Sequence, residues 1–203
     1  MLLSLKMALA FPQPAAAQSD QREPVKSLLE LRRERVVVQE WDLSCGSAAL
    51  ATVLKYQHGD PISEKDIAKG LFSRKEYMAN PALVGARQGF SLLDLKRFVD
   101  GRGYRGVGFG KLELDDLVRK APVIVPVRLN GYNHFVVFRG LLRDRVLLAD
   151  PAWGNRTMRS ERFLQAWLEY PQVGKVGFVV EEGGHPPHPN NLAPKPEDYP
   201  ALQ

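Results

Sequence analysis

Residues 41–59, WDLSCGSAALATVLKYQHG, decide how the rest of the chain is read. The small residues from Cys45 to Ala51 let neighbouring elements approach closely, Leu50, Val53 and Leu54 form one apolar face, and Gly59 supplies a stop. The spacing predicts a central helix with Cys45 in or just before its first turn. Unpaired N–H groups and the positive end of the helix dipole favour a thiolate there. Gly46 would let a substrate carbonyl reach the backbone, and the Cys45 N–H could itself donate to an oxyanion. Taken alone, a cysteine on a small-residue helix is more often a packed core thiol, so its neighbours have to decide.

Upstream, PVKSLLELRRER (residues 24–35) predicts a short amphipathic helix and Val36 to Gln39 a brief strand. Downstream, Ser63 three residues before Asp66 and Ser91 three before Asp94 open two further helices, separated by an irregular stretch over 71–89. Residues 112–121, LELDDLVRKA, give another helix, and APVIVPVRL (121–129) a buried strand that Pro126 places at an edge or bulge. HFVVFRG (134–140) and RVLLAD (145–150) read as paired strands, RSERFLQAW (159–167) as a helix and KVGFVVEE (175–182) as a closing strand. Helices gather around the cysteine in the first half and antiparallel strands fill the second, which is an α+β layout.

A chain of 203 residues with 44% apolar composition supports one core with tails. Residues 1–17, MLLSLKMALAFPQPAAA, resemble a secretory signal cut before Gln18, with 18–35 an extension or helix and 36–182 the folded domain. The expectation is therefore a periplasmic or secreted protein, and no stretch reaches the roughly 18 apolar residues of a membrane span. Residues 183–203 are Pro-rich and read as a flexible tail, with His185 and His188 solvated in it. The charge of +5 is too dispersed for a nucleic-acid arm, and one Cys with four His offers no zinc ligand set, so neither nucleic acid, metal nor cofactor is expected.

His134 opens an apolar strand that could hold its imidazole rigidly against a facing helix, to take the thiol proton and return it to a leaving amine. The plainer reading is an imidazole bonded to a carbonyl. His58, thirteen residues beyond Cys45 on the same helix, would lie about 20 Å away. Asp150 ends the returning strand and could hold the second ring nitrogen, unless it only caps its own turn before Pro151. Gln39, six residues before Cys45, could aim its amide at an oxyanion.

Gln39, EWDLSCGSAAL around Cys45, GYNHFVV at His134 and LLADPAWG at Asp150, in that order, resemble the C39 family of cysteine peptidases. The resemblance covers about residues 36 to 180. It implies a papain-like fold, with an N-terminal helical lobe carrying the nucleophile helix packed on a C-terminal antiparallel sheet. It also implies roles: Cys45 attacks the scissile carbonyl, His134 serves as base then acid, Asp150 orients it, and Gln39 with the Cys45 N–H stabilises the oxyanion. The chain lacks the membrane and ATPase domains of the family's export transporters. It is more similar to stand-alone exported members, one sort of which accompanies functional-amyloid secretion.

The function expected from the resemblance is a cysteine endopeptidase acting on an exported polypeptide, with double-glycine sites and secretion-system components among the possible partners. A peptide-binding or chaperone domain that keeps the groove without catalysis is the alternative. Transpeptidation, amidase action and transglutaminase-like transfer use the same kind of triad and differ in the acyl acceptor.

Overall fold

The computed structural model describes residues 26–86, 89–184, 189–196 and 198. The expected signal over 1–17 and both His185 and His188 lie outside the described residues. In chain order the first half contains α1 (Leu28–Arg33), α2 (Cys45–Gln57), α3 (Glu64–Phe72), α4 (Lys75–Ala79), α5 (Ala82–Ala86) and α6 (Leu92–Asp100). Then follow β1 (Tyr104–Phe109), α7 (Leu114–Lys120), β2 (Val123–Leu129), β3 (Tyr132–Leu142), β4 (Arg145–Asp150), β5 (Gly154–Arg159) and α8 (Ser160–Ala166). The last elements are β6 (Glu169–Tyr170), β7 (Gly174–Lys175) and β8 (Gly177–Glu182).

Helix α2 is buried on every side from Cys45 to Leu54, more completely than the single apolar face read from its sequence. Its alanines and Ser47 leave little side chain to keep β3, α3 and α6 away. Gly46 faces Phe135 of β3, where an added Cβ would sit 3.4 Å from the ring. The serine caps form as expected: Ser63 Oγ accepts from Asp66 N, and Ser91 closes a capping box with Asp94. Asp94 is buried and also takes the Tyr77 hydroxyl at 2.5 Å and the Arg74 guanidinium.

The main sheet among the described residues runs β1-β8-β2-β3-β4-β5, antiparallel throughout. Both faces are covered, which explains the unbroken apolar runs in β2 and β3. Ile124, Val137, Ala149 and Phe178 join the core shared with α2, α3 and α6. Val123, Val125, Val136, Phe138 and Leu148 join a second core with Leu117 of α7 and Phe163 of α8. Pro126 lies in this interior strand rather than at an edge. The contact with β8 is confined to Ile124 and Phe178, and at Pro126 the neighbouring chain only donates Leu168 N to its carbonyl.

Four sequence expectations change, the edge position of Pro126 being the first. Residues 36–39 are extended but join no ladder; Val37 N donates to Thr52 Oγ1 and Gln39 N to the Pro151 carbonyl. The irregular stretch, readable as loop or broken helix, is the latter and holds the short helices α4 and α5. Strands β1 and β5 were not foreseen, because β1 carries two glycines and β5 is mostly polar. Gly106 is needed there, since a Cβ would stand 2.8 Å from Val99 Cγ2 and 2.9 Å from Phe178 Cζ.

The fourth correction concerns the Pro-rich tail, which over 189–194 is docked rather than flexible. Leu192 is fully buried in the α2 core. Gln57 donates to the Pro189 carbonyl and accepts twice from Asn191, on Oε1 from its N–H and on its own carbonyl from Nδ2, while Asn190 Nδ2 donates to the Arg139 carbonyl. Arg139 sits at the β3 bulge with its guanidinium buried, donating to Leu192 O at 2.8 Å and Asn155 Oδ1 at 2.6 Å. The prolines deny helix, yet Leu192 and the asparagines supply what the composition concealed.

Candidate active site

Cys45 is the first residue of α2 and is 6% exposed. Ser44 ends the approach to it, its Oγ donating to the Trp41 carbonyl at 2.7 Å and its N–H to the same oxygen at 3.2 Å. That carbonyl also accepts Gln39 Nε2 at 3.0 Å. A carbonyl cannot donate, so the Gln39 amide nitrogen must face Trp41, which leaves its second N–H for another acceptor. Gln39 Oε1 is buried without a partner among the described residues.

The sheet supplies the other half. His134 lies on β3 opposite Val127 of β2, and the β3–β4 hairpin brings Asp150, the last residue of β4, back beside it. His134 Nε2 donates to Asp150 Oδ1 at 2.7 Å, which leaves Nδ1 as the nitrogen for Cys45, whose side chain hydrogen-bonds the imidazole. Asp150 Oδ1 also accepts Ala152 N at 2.9 Å, and Oδ2 lies 3.3 Å from Arg156 Nη1. The same carboxylate thus caps its turn and holds the histidine; the two readings of Asp150 are both realised.

Burial works against a charged imidazole at His134. Hydrogen bonds and charge from Asp150 and Cys45 outweigh it and hold the pKa up at about 9. Burial also pushes the Asp150 carboxyl up, but His134, Ala152 N–H and Arg156 together keep it below its ordinary value. The two shifts describe one buried pair and count once.

Two adjoining pockets meet at Cys45 and His134. One, of about 700 Å³, is lined by Gly89, Phe90, Leu92, Phe109 and Phe135. The other, of about 610 Å³, contains Gln39, Asp150, Trp153 and Arg156. An extended peptide can therefore pass the sulfur with chain on both sides. All four residues singled out in the sequence converge here. Arg156 was missed; its signal was its place six residues beyond Asp150 on a returning strand. His58 is far from this centre, bonded to Glu182 and the Val180 carbonyl.

Residues 33–171 match the peptidase C39 family. The chain is 35% identical over 173 residues to the probable functional amyloid protease FapD of Pseudomonas aeruginosa, covering 85% of this chain and 72% of that one. It is 39% identical over 160 residues to the probable functional amyloid protease FapD of Pseudomonas fluorescens, covering 78% and 66%. The fold is similar to a double glycine motif protease from an AMS/PCAT transporter in complex with the leader peptide, with TM-score 0.57 and 21% identity over 72% of this chain and 90% of that one. The peptidase domain of Streptococcus ComA gives the same score and identity, covering 72% and 97%. An α+β arrangement with the Cys45-bearing helix packed on an antiparallel sheet is thus a papain-like fold. The chain belongs to the peptidase C39 family.

Proposed function

We propose that this peptidase is a cysteine endopeptidase working through Cys45, His134, Asp150 and Gln39, and that its substrate is an exported polypeptide. The observation that carries the reading is the junction of helix α2 and the β3–β4 hairpin, where Asp150 holds His134 Nε2 and Cys45 interacts with the same imidazole. Sγ attacks the scissile carbonyl carbon, with the thiol proton held on His134. The resulting oxyanion accepts from Cys45 N–H and the second Nε2–H of Gln39. His134 protonates the leaving amine as the C–N bond breaks, giving a thioester. Water then attacks with His134 as base, and the thiol is restored.

The names of the Pseudomonas relatives favour a functional-amyloid system as the source of the substrate, hence export and a periplasmic site of action. The double-glycine protease with the same fold makes a bond after Gly-Gly the first to try. The test is incubation of purified protein with peptides carrying or lacking Gly-Gly, with mass spectrometry of products. Cleavage lost in Cys45→Ala is expected. Peptide binding without any cleavage would overturn the reading and leave a peptide-binding domain.

A further inference from the structure

Glu64 is the first residue of α3, in a position where acids normally sit in water at the positive end of a helix. Here it is 4% exposed and turned away from solvent. Its carboxylate receives Glu40 N at 3.2 Å on Oε1 and 3.0 Å on Oε2, and the Ser44 hydroxyl lies beside it. Glu40 follows Gln39 and Ser44 precedes Cys45, so one buried side chain holds the start of the loop that joins the oxyanion amide to the nucleophile and stands against its end. Between those ends, the Trp41 carbonyl gathers Gln39 Nε2 and both donors of Ser44. The loop has no strand ladder to hold it. Without Glu64, Glu40 N–H loses its partner and the loop is left with the Gln39 N bond to the Pro151 carbonyl and the Trp41 turn, which hold the Gln39 amide on the oxyanion position less firmly.

We propose that Glu64 is a positioning residue for catalysis, fixing the 39–45 loop so that Gln39 donates to the developing oxyanion. This rests on the cysteine-peptidase reading above. A misplaced oxyanion donor costs transition-state binding and leaves ground-state binding alone. Glu64→Ala is expected to lower kcat about tenfold, part of the ~10²–10³ that outright loss of such a donor costs, with KM changed by less than about twofold. Glu64→Gln keeps an oxygen acceptor for Glu40 N and should restore kcat to within about threefold of the wild type.

The deciding measurement is a double-mutant cycle. If Glu64 acts through Gln39, Gln39→Ala with Glu64→Ala is no slower than Gln39→Ala alone. Should Glu64→Ala not fold, Glu64→Asp, which retracts the carboxylate by one methylene, carries the same expectations. A wild-type kcat in folded Glu64→Ala or Glu64→Asp, a rise in KM alone, or losses that multiply in the double variant would each sink the inference while the peptidase reading stands. Failure of the wild type itself to cleave, with Cys45 alkylating like a free thiol, removes the parent reading and this one with it.

Discussion

The two sides of the cleft are rigid for different reasons. His134 and Asp150 sit on neighbouring strands of a sheet buried on both faces, so their separation follows from the register of a hydrogen-bonded ladder. Cys45 is fixed by a buried helix, but Gln39 beside it hangs on a loop whose shape depends on the Trp41 and Pro151 carbonyls and one carboxylate. Ladder rigidity is spread over many bonds and resists single changes. Loop rigidity is concentrated in a few side chains and does not. The comparison teaches that substitutions behind the sheet should register as stability, whereas substitutions behind the loop should register as rate.

The largest effect tests the point where the sides meet. Cys45→Ala should reduce cleavage by more than about 10⁴-fold with unfolding unchanged to within about 1 kcal/mol, since no nucleophile remains and only a sulfur is lost. Residual turnover at the wild-type rate would place the chemistry elsewhere. Next, Asp150→Asn should lower kcat/KM by about 10²-fold or more, because an amide can present its NH2 to Nε2 and so invert the imidazole tautomer. Rates within about threefold of the wild type would mean that the ladder alone orients His134.

Behind the sheet, Leu192→Ala should cost about 2–4 kcal/mol in denaturant unfolding while kcat stays within about twofold, measured well below the melting temperature. A fall in kcat without a fall in stability would break the distinction between the two sides. The smallest effect is electrostatic. The His134 pKa is raised from 6.5 to about 9, so the stabilisation by its pairing is complete below 6.5 and fades as pH rises through about 9. The stability gap between the wild type and His134→Gln should therefore narrow from pH 6 to pH 10. A gap that widens over that range would contradict the charged pair.

Much of this was legible because the informative residues sit in regular elements. The small-residue run of α2, the serine caps at 63 and 91, and the continuous apolar strands β2 to β4 each have a local cause that survives folding. Gln39, Cys45, His134 and Asp150 could be ordered along the chain, and the helix and hairpin then brought them together. What could not be read depends on partners distant in sequence. Gly106 and Gly108 disguise β1, whose glycine at 106 answers to Phe178 seventy-two positions on. Glu64 looks like any acid in a first helical turn until the loop from 39 to 45 folds over it. Arg139 has the composition of a surface residue, and its burial is made tolerable by partners such as Leu192 and Asn155.

The strap over 189–194 also sets an order of events. It is made after the sheet it closes, yet Leu192 fills the core around α2 and Gln57 of that helix waits for Asn191. Until the strap docks, both halves of the cleft stand with an open seam behind them. Full cohesion arrives only with that docking, so Leu192, forty-two positions beyond Asp150, seals the core behind the cleft.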